Sequence, residues 1–435
     1  MQRCLRKGNV SVIILLTLIW FAFSPLREGR SAEQAPFPTI EELTGGKVKT
    51  GDSITKENVD LVKDYLTVSI YELVKQGMVM KIGKNVAPGE VTPAFFREAT
   101  ENSLKLYGKP TIDENAVIYT KEGKPWPGGI PFPAPSNVLE LMADVKYGHG
   151  VDDFVANQYT LYVNKEGKVY KTNKMDISWV WTNGRLKVPP LGAVPRFETA
   201  NEVNLPVIVA PQDLKGLGQL VTKYWDDSKN PDTGFVYLPA FKRVIRVSVT
   251  TYQDNMGGSD MTWGDPNGLR EPFSNWNFKL ITKKFMLAGY PFGAAAKINP
   301  DLTVDDGKEY TEGKKFAKNT WVVTPIYIVE ATPKVRHIYG KKILYIRSPE
   351  EGWLVYSNIA MVDIYDQQMR LWKAYYSIPY LADMGEGLPR VSVGSICSMH
   401  DLQAGHSTHF LGTLFFNRGL DPAKLDLTAL IGKGK

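Results

Sequence analysis

Residues 158–188 read QYTLYVNKEGKVYKTNKMDISWVWTNGRLKV. Polar and apolar side chains alternate through most of this stretch, which is the two-residue period of a half-buried strand. The alternation stops twice, each time at a turn signal. Gln158–Val163 and Lys168–Thr172 flank Asn164-Lys165-Glu166-Gly167, and Ile177–Thr182 and Arg185–Val188 flank Asn183-Gly184. Asparagine and glycine tolerate the positive φ of a tight turn, so both read as hairpins, the second more strongly.

The same pattern continues downstream. Strands are expected at Phe235–Leu238, Phe241–Thr251, Trp276–Ile281, Trp321–Ala331, His337–Ile346, Trp353–Asp366 and Met369–Tyr376. A spacing of about ten residues per strand is that of an antiparallel meander. No strand–helix–strand alternation is visible, which argues against a parallel doubly wound sheet. No linker or internal repeat divides the β-rich region, about 138–415.

Upstream the period changes. Val59, Val62, Leu66, Leu73 and Val74 recur at helical spacing after the cap candidates Asp52 and Ser53, with Gly77 as the stop. A second helix opens at Thr92-Pro93 and runs to about Tyr107. These N-terminal helices span about 53–107. Residues 32–50 read as a loose polar arm. Residues 123–135 (GKPWPGGIPFPAP) carry too many prolines for a helix or central strand, and read as a rigid connector packing Trp126 and Phe132.

Residues 1–31 read as a secretory signal. Arg3, Arg6 and Lys7 precede a 14-residue apolar run, Val10–Phe23, which is short of the ~20 residues that span a bilayer. The segment holds five cations and one acid, so the net charge beyond it falls from +6 to +2. Nucleic acid then loses its main electrostatic support as a partner. Cys4 lies in the signal, and Cys397 is the one cysteine beyond it. Export without a disulfide fits the periplasm of a Gram-negative bacterium.

Catalytic motifs are scarce. There is no Gly-x-Ser-x-Gly, P-loop or His-Glu-x-x-His, and Gly216-Leu217-Gly218 lacks a third glycine. Asp305-Asp306-Gly307 fails the register of a calcium loop. Asp152-Asp153 and Asp226-Asp227 read as solvated turns. Cys397 reads as a buried, inert thiol, although His400 is three residues away. His400, His406 and His409 form the best constellation for metal chemistry, because three imidazoles suit zinc or copper. Their spacing matches no established motif, and no metal or other cofactor is expected.

Four stretches carry a family likeness: Gly129–Glu140 (GIPFPAPSNVLE), Tyr237–Ser248 (YLPAFKRVIRVS), Asn275–Tyr290 (NWNFKLITKKFMLAGY), and Arg336–Trp372, which opens RHIYGKKILYI and closes IYDQQMRLW. In this order they resemble the DUF1329 family of exported bacterial proteins, related to the LolA/LppX lipoprotein carriers. Ala240 stands where the family usually has glycine, Ile245 replaces the first residue of a basic pair, and Ala143-Asp144 replaces Trp-Asn. The resemblance implies an α+β, mainly antiparallel fold, with a curved half-barrel sheet wrapped around helices in a single domain, 32–435. It implies a periplasmic, non-enzymatic carrier of lipids or other hydrophobic molecules, with peripheral membrane contact. Expected partners are an inner-membrane exporter of the resistance–nodulation–division (RND) type and an outer-membrane protein. Expected ligand contacts are Arg243 at a head group, with Tyr237, Phe241, Trp276 and Trp372 lining the cavity. The alternatives are a scaffold of an outer-membrane-associated complex and, less favoured, a metal-dependent hydrolase using the His400–His409 loop.

Overall fold

The computed structural model describes residues 37–85, 94–247, 252–290, 320–348, 359–382 and 391–433. The signal segment, the Asp305-Asp306-Gly307 stretch and Trp353 to 358 lie outside them. Among the described residues no helix is long and apolar enough to cross a membrane.

In chain order the strands begin with β1 (Ser53–Ile54), β2 (Met80–Ile82), β3 (Thr111–Ile112) and β4 (Ile118–Tyr119). The next are β5 (Asp153–Val163), β6 (Val169–Trp181), β7 (Asn183–Arg185), β8 (Gly192–Ala193), β9 (Ala200–Ala210), β10 (Gly218–Tyr224), β11 (Thr233–Leu238) and β12 (Arg243–Val247). The last are β13 (Trp276–Tyr290), β14 (Thr320–Pro333), β15 (Tyr339–Arg347), β16 (Ile359–Asp366), β17 (Leu371–Ala382), β18 (Val391–Asp401) and β19 (Ser407–Phe416). Fifteen of these form one open sheet, in the order β1-β2-β14-β15-β16-β17-β18-β19-β5-β6-β9-β10-β11-β12, with β13 on the other side of β14. Among the described residues only the β2–β14 pairing is parallel. Two meanders are thus joined where β19 pairs with β5, from Ser407 against Val163 to Phe416 against Phe154. The fold is α+β and mainly antiparallel, as expected.

Helices are short: α1 (Ile40–Thr44), α2 (Val68–Lys75), α3 (Ala94–Tyr107), α4 (Val138–Tyr147) and α5 (Leu427–Lys433). Strand alternation sorts what covers each face. On β15, Ile343 and Tyr345 pack with the N-terminal elements, in a core that includes Ile40, Ile70 and Leu73. Leu344 and Ile346 point the other way, toward Leu141 and Met142 of α4 and toward Met261 and Phe273. These last two belong to a strap, residues 252–275, laid across the sheet.

Several expectations are corrected. Residues 37–50 are not a loose arm: Thr39 and Glu42 cap α1 reciprocally, and Ile40 and Val48 are buried. The single helix over 53–74 is broken. Leu66 is extended, and Thr67 caps a new helix by accepting from the Ile70 amide. Asn183-Gly184 makes no hairpin between 177–182 and 185–188. The Asn183 side chain is buried and donates to the carbonyls of Phe197 and Glu198, while β6 runs on against β9. The strand expected from Phe241 starts at Arg243, because Pro239–Phe241 is a tight helical turn and Lys242 takes a left-handed φ of 49°. Its last residues, 248–251, are outside the described set.

The paired aspartates are also not solvated. Asp152 accepts from the amides of Leu186, Lys187 and Val188, and Asp153 from those of Arg418, Gly419 and Leu420. Asp226 and Asp227 are buried as well, paired with Lys229 and Lys146. Asp152, Asp153 and Asp226 repay their desolvation with several donors, whereas Asp227 holds the Phe273 amide and Lys146 on one oxygen alone.

Candidate functional site: an apolar cavity with a polar end

Among the described residues no helix fills the strap side of the sheet from β19 to β12. Its inward residues alternate: Ala156 and Gln158 on β5, Met175, Ile177 and Trp179 on β6, Asn204 and Pro206 on β9, Gln219 and Val221 on β10. Val247 on β12 and Leu414 on β19 complete the wall, so adjoining strands curve around one space. Met256, Met261 and Trp263 of the strap roof it. The cavity is about 150 Å³ and its lining is mostly apolar. On the opposite face, Val203, Leu205 and Val207 pack under Leu430 of α5. The empty space is therefore on one face only.

The strap is pinned by buried polar contacts. Asp265 accepts from Lys342 Nζ at 2.8 Å, Tyr339 Oη at 2.7 Å, and the Thr262 amide at 2.7 Å. Burial pushes its carboxyl up, yet Lys342 and Lys373 and these donors outweigh that and hold it below the usual range. Lys373 Nζ donates to the Asp260 carbonyl, and Thr408 Oγ1 to Asp260 Oδ2 at 2.7 Å. Tyr162 Oη donates to the Gly257 carbonyl.

A second, smaller chamber of about 100 Å³ adjoins the first. Trp179, Asn267 and Arg270 border both. Arg270 Nη2 lies 2.6 Å from Glu202 Oε1, and its guanidinium stacks 4.1 Å from the Trp179 ring centre. Trp179 Nε1 donates to the other Glu202 oxygen at 3.1 Å. Burial lowers the Lys223 ammonium, opposed by Asp232 3.8 Å away.

The five expected contact residues are not brought together, and none lines the cavity. Arg243 is exposed, on the same face of β12 as Val247 and four residues along, or ~13 Å at strand rise. Phe241 is 71% exposed in the turn before it. Tyr237 packs on the opposite face, under α5. Trp276 is buried in the α4 core, its ring 5.0 Å from His337. Trp372 is partly buried, and its Nε1 donates to Asp401 Oδ2 at 2.9 Å. The lining residues that sequence reading missed sit on β6, β9 and β10. Their signal was parity: every second residue of MDISW is apolar.

The three histidines divide two and one: the His400 and His409 rings meet edge to face at 5.4 Å, while His406 pairs with Asp260 instead. His400 and His409 lie on the face toward the N-terminal elements, where His400 stacks on Tyr376 at 5.5 Å and Ser398 Oγ is 2.7 Å from His409 Nδ1. His406 sits in the β18–β19 turn, with Nδ1 2.5 Å from Asp260 Oδ1. Asp260, Asp401 and His406 offer ligand atoms within 4.8 Å of one another, a set that could take a cation. Both carboxylates are already engaged, Asp260 by Thr408 and Asp401 by Trp372 and the amides of Gln403 and Ala404. Cys397 is buried and its thiol is pushed up to about 12 by that burial. His400, three residues on, faces the other side of the sheet.

Comparison with known proteins completes the picture. Among curated proteins no match is found. Among solved structures the chain is similar to a putative outer membrane lipoprotein-sorting protein domain from Vibrio parahaemolyticus (17% identity, TM-score 0.42, 64% of this chain and 92% of that one). It is similar to a DUF1329 family protein from Desulfovibrio piger (19%, 0.43, 64% and 92%). It is also similar to the LolA superfamily protein NE2245 from Nitrosomonas europaea (11%, 0.36, 66% and 94%). The sequence profile described as protein of unknown function (DUF1329) matches residues 53–413, and on that match the chain belongs to the DUF1329 family.

Proposed function

We propose that the protein is a periplasmic, non-enzymatic carrier that holds a hydrophobic molecule in the apolar cavity under the strap. The observation that carries this reading is the cavity itself: adjoining strands turn alternate apolar residues onto a space that the rest of the fold leaves unfilled. Ligand sites are of this kind, mostly apolar with a few placed polar groups. Two further features support a binding role over an enzymatic one. His406 is parted from His400 and His409, whose rings meet on the opposite face, and the Cys397 thiol is both buried and hard to ionise.

The cavity's size constrains the cargo. A void of about 150 Å³ accepts one benzene-sized group. A whole lipid therefore does not fit in this form. The cavity takes a ring or a short alkyl segment, and longer cargo requires the strap to move or lies partly along the open sheet. Arg243 and Phe241 are exposed at the outer end of the same sheet region, and we assign them to cargo that extends beyond the cavity.

The basic, apolar N-terminal segment supports export, and the role then lies between membranes. We assign the flanking steps to an inner-membrane exporter of the RND type and an outer-membrane protein. Native mass spectrometry of the chain from Ala32, purified without detergent and then extracted, tests the carrier reading. A stoichiometric adduct that extracts as a lipid, sterol or other long-chain molecule supports it. A bare mass, still bare after incubation with envelope lipids, refutes it in favour of a scaffold.

A further inference from the structure

The smaller chamber carries polar atoms that the fold leaves without partners. Asn201 Oδ1 and Asp227 Oδ1 are buried with no hydrogen bond. Lys146 Nζ lies 2.8 Å from Asp227 Oδ2 yet makes no directed hydrogen bond. Asn204 is 4% exposed, and its Nδ2 is unpartnered in the wall of the apolar cavity. It stands two residues from Glu202 on the same face of β9, on the side of the junction. Buried polar groups are nearly always hydrogen-bonded, so such a cluster asks for a missing partner.

The charge balance says what that partner is. The chamber is walled by three cations, Lys146, Lys223 and Arg270, and three carboxylates, Glu202, Asp227 and Glu271. Arg270 is held by Glu202, Lys146 by Asp227, and Lys223 by Asp232, while Glu271 is held by His337. An anionic head would either crowd the buried carboxylate of Glu202 or Asp227 beside its cation, or take that cation away and leave the carboxylate buried and unpaired. That costs more than the new pair returns. The unpartnered atoms include both donors and acceptors, and a hydroxyl group serves both.

We infer that the chamber receives an uncharged, hydroxyl-bearing head, so that the cargo is a neutral amphiphile whose apolar part occupies the cavity. This rests on the carrier reading above and narrows it to one ligand class.

Titration calorimetry of delipidated protein at pH 8 tests it, with three probes below their aggregation limits: 1-monodecanoylglycerol, decanoate and naphthalene. The glyceride is expected to bind about tenfold more tightly than decanoate, the worth of one buried polar group satisfied rather than stranded. Asn204→Leu, which keeps the branched four-atom side chain and removes the amide, is expected to lose about tenfold for the glyceride and under about twofold for decanoate. Decanoate binding as tightly as the glyceride overturns the neutral head. So does a glyceride affinity unchanged in Asn204→Leu, which means that no hydroxyl of the head reaches the Asn204 amide. Naphthalene binding without either chain overturns the head and leaves the carrier standing. Failure of all three probes overturns the carrier as well. The wild-type series decides the matter even if the variant folds poorly.

Discussion

Replacing Lys342 by methionine is expected to loosen the strap and lower stability by about 3–5 kcal/mol, the usual cost of stranding one member of a buried ion pair. The structure sets this scale. Lys342 Nζ and Asp265 Oδ1 are 2.8 Å apart and both side chains are fully buried. At an effective dielectric of about 20 that separation is worth about 6 kcal/mol of attraction, before desolvation is subtracted. Methionine keeps the aliphatic contact with the Trp276 and Tyr339 rings, over which the ammonium now sits at 5.6 and 5.2 Å. The loss is thus charge, not volume. Asp265→Asn in the same background removes the stranded charge and is expected to restore at least ~1 kcal/mol. Urea unfolding at pH 7 and pH 4 is the assay. The Asp265 carboxyl is held low in the wild type, so the pair stabilises above the unfolded carboxylate value and its contribution fades as pH falls through the folded one. In Lys342→Met the carboxyl titrates higher, so the gap to wild type should narrow from pH 7 to pH 4. A loss below ~1 kcal/mol at pH 7, or a gap that widens in acid, would refute the reasoning.

Asp144 is wholly buried, and burial first raises its carboxyl well above the ordinary range, with Glu140 adding to it and the Phe132 amide opposing. Its Oδ2 has no hydrogen-bond partner. A raised acid costs stability as pH rises past its unfolded value, so Asp144→Asn should stabilise at pH 8 and change little at pH 4, in thermal melts at both. Arg243→Ala, at an exposed edge, should weaken ligand retention by native mass spectrometry while moving stability by under about 0.5 kcal/mol. Equal retention at equal stability removes Arg243 from the site. Native Cys397 should resist Ellman's reagent and react at once in urea, and fast native labelling would contradict its burial.

Much of the sheet was legible because alternation is a local signal. β5, β6, β11, β14 and β15 fall where two-residue periodicity puts them. What failed was decided by side-chain partners distant in sequence. Asn183-Gly184 has the residues of a hairpin, but the Asn183 amide is spent on the 197–198 carbonyls, and β6 finds β9 instead. β9 itself is disguised by Asn201, Glu202, Asn204 and Pro206, all four of which line the cavity or the chamber beside it. Asp152 and Asp153 look solvated until chain folding supplies three amides apiece. The site was harder still. Large aromatics such as Trp276 attract attention, yet they fill the packed half of the sheet. The open half is lined by Met175, Ile177 and Val221, which no motif marks. The junction of Arg270, Glu202 and Trp179 joins residues that only the folded sheet brings together.

The outer rim of β13 bears on how so long a sheet stays to itself. Among the described residues β13 pairs only with β14, so every second residue along this fifteen-residue strand turns its backbone polar groups to an edge without a strand partner. Its ladder slips between Leu280 and Thr282, and Lys279, Lys283 and Lys284 stand exposed around the slip. A strand from another copy docking there would lose registry at the bulge and crowd three ammonium groups against its own backbone. Leu280 and Ile281 are exposed at that point, an apolar temptation set among charges. The rim thus frustrates cross-β templating at the place where an unclosed sheet is most open to it.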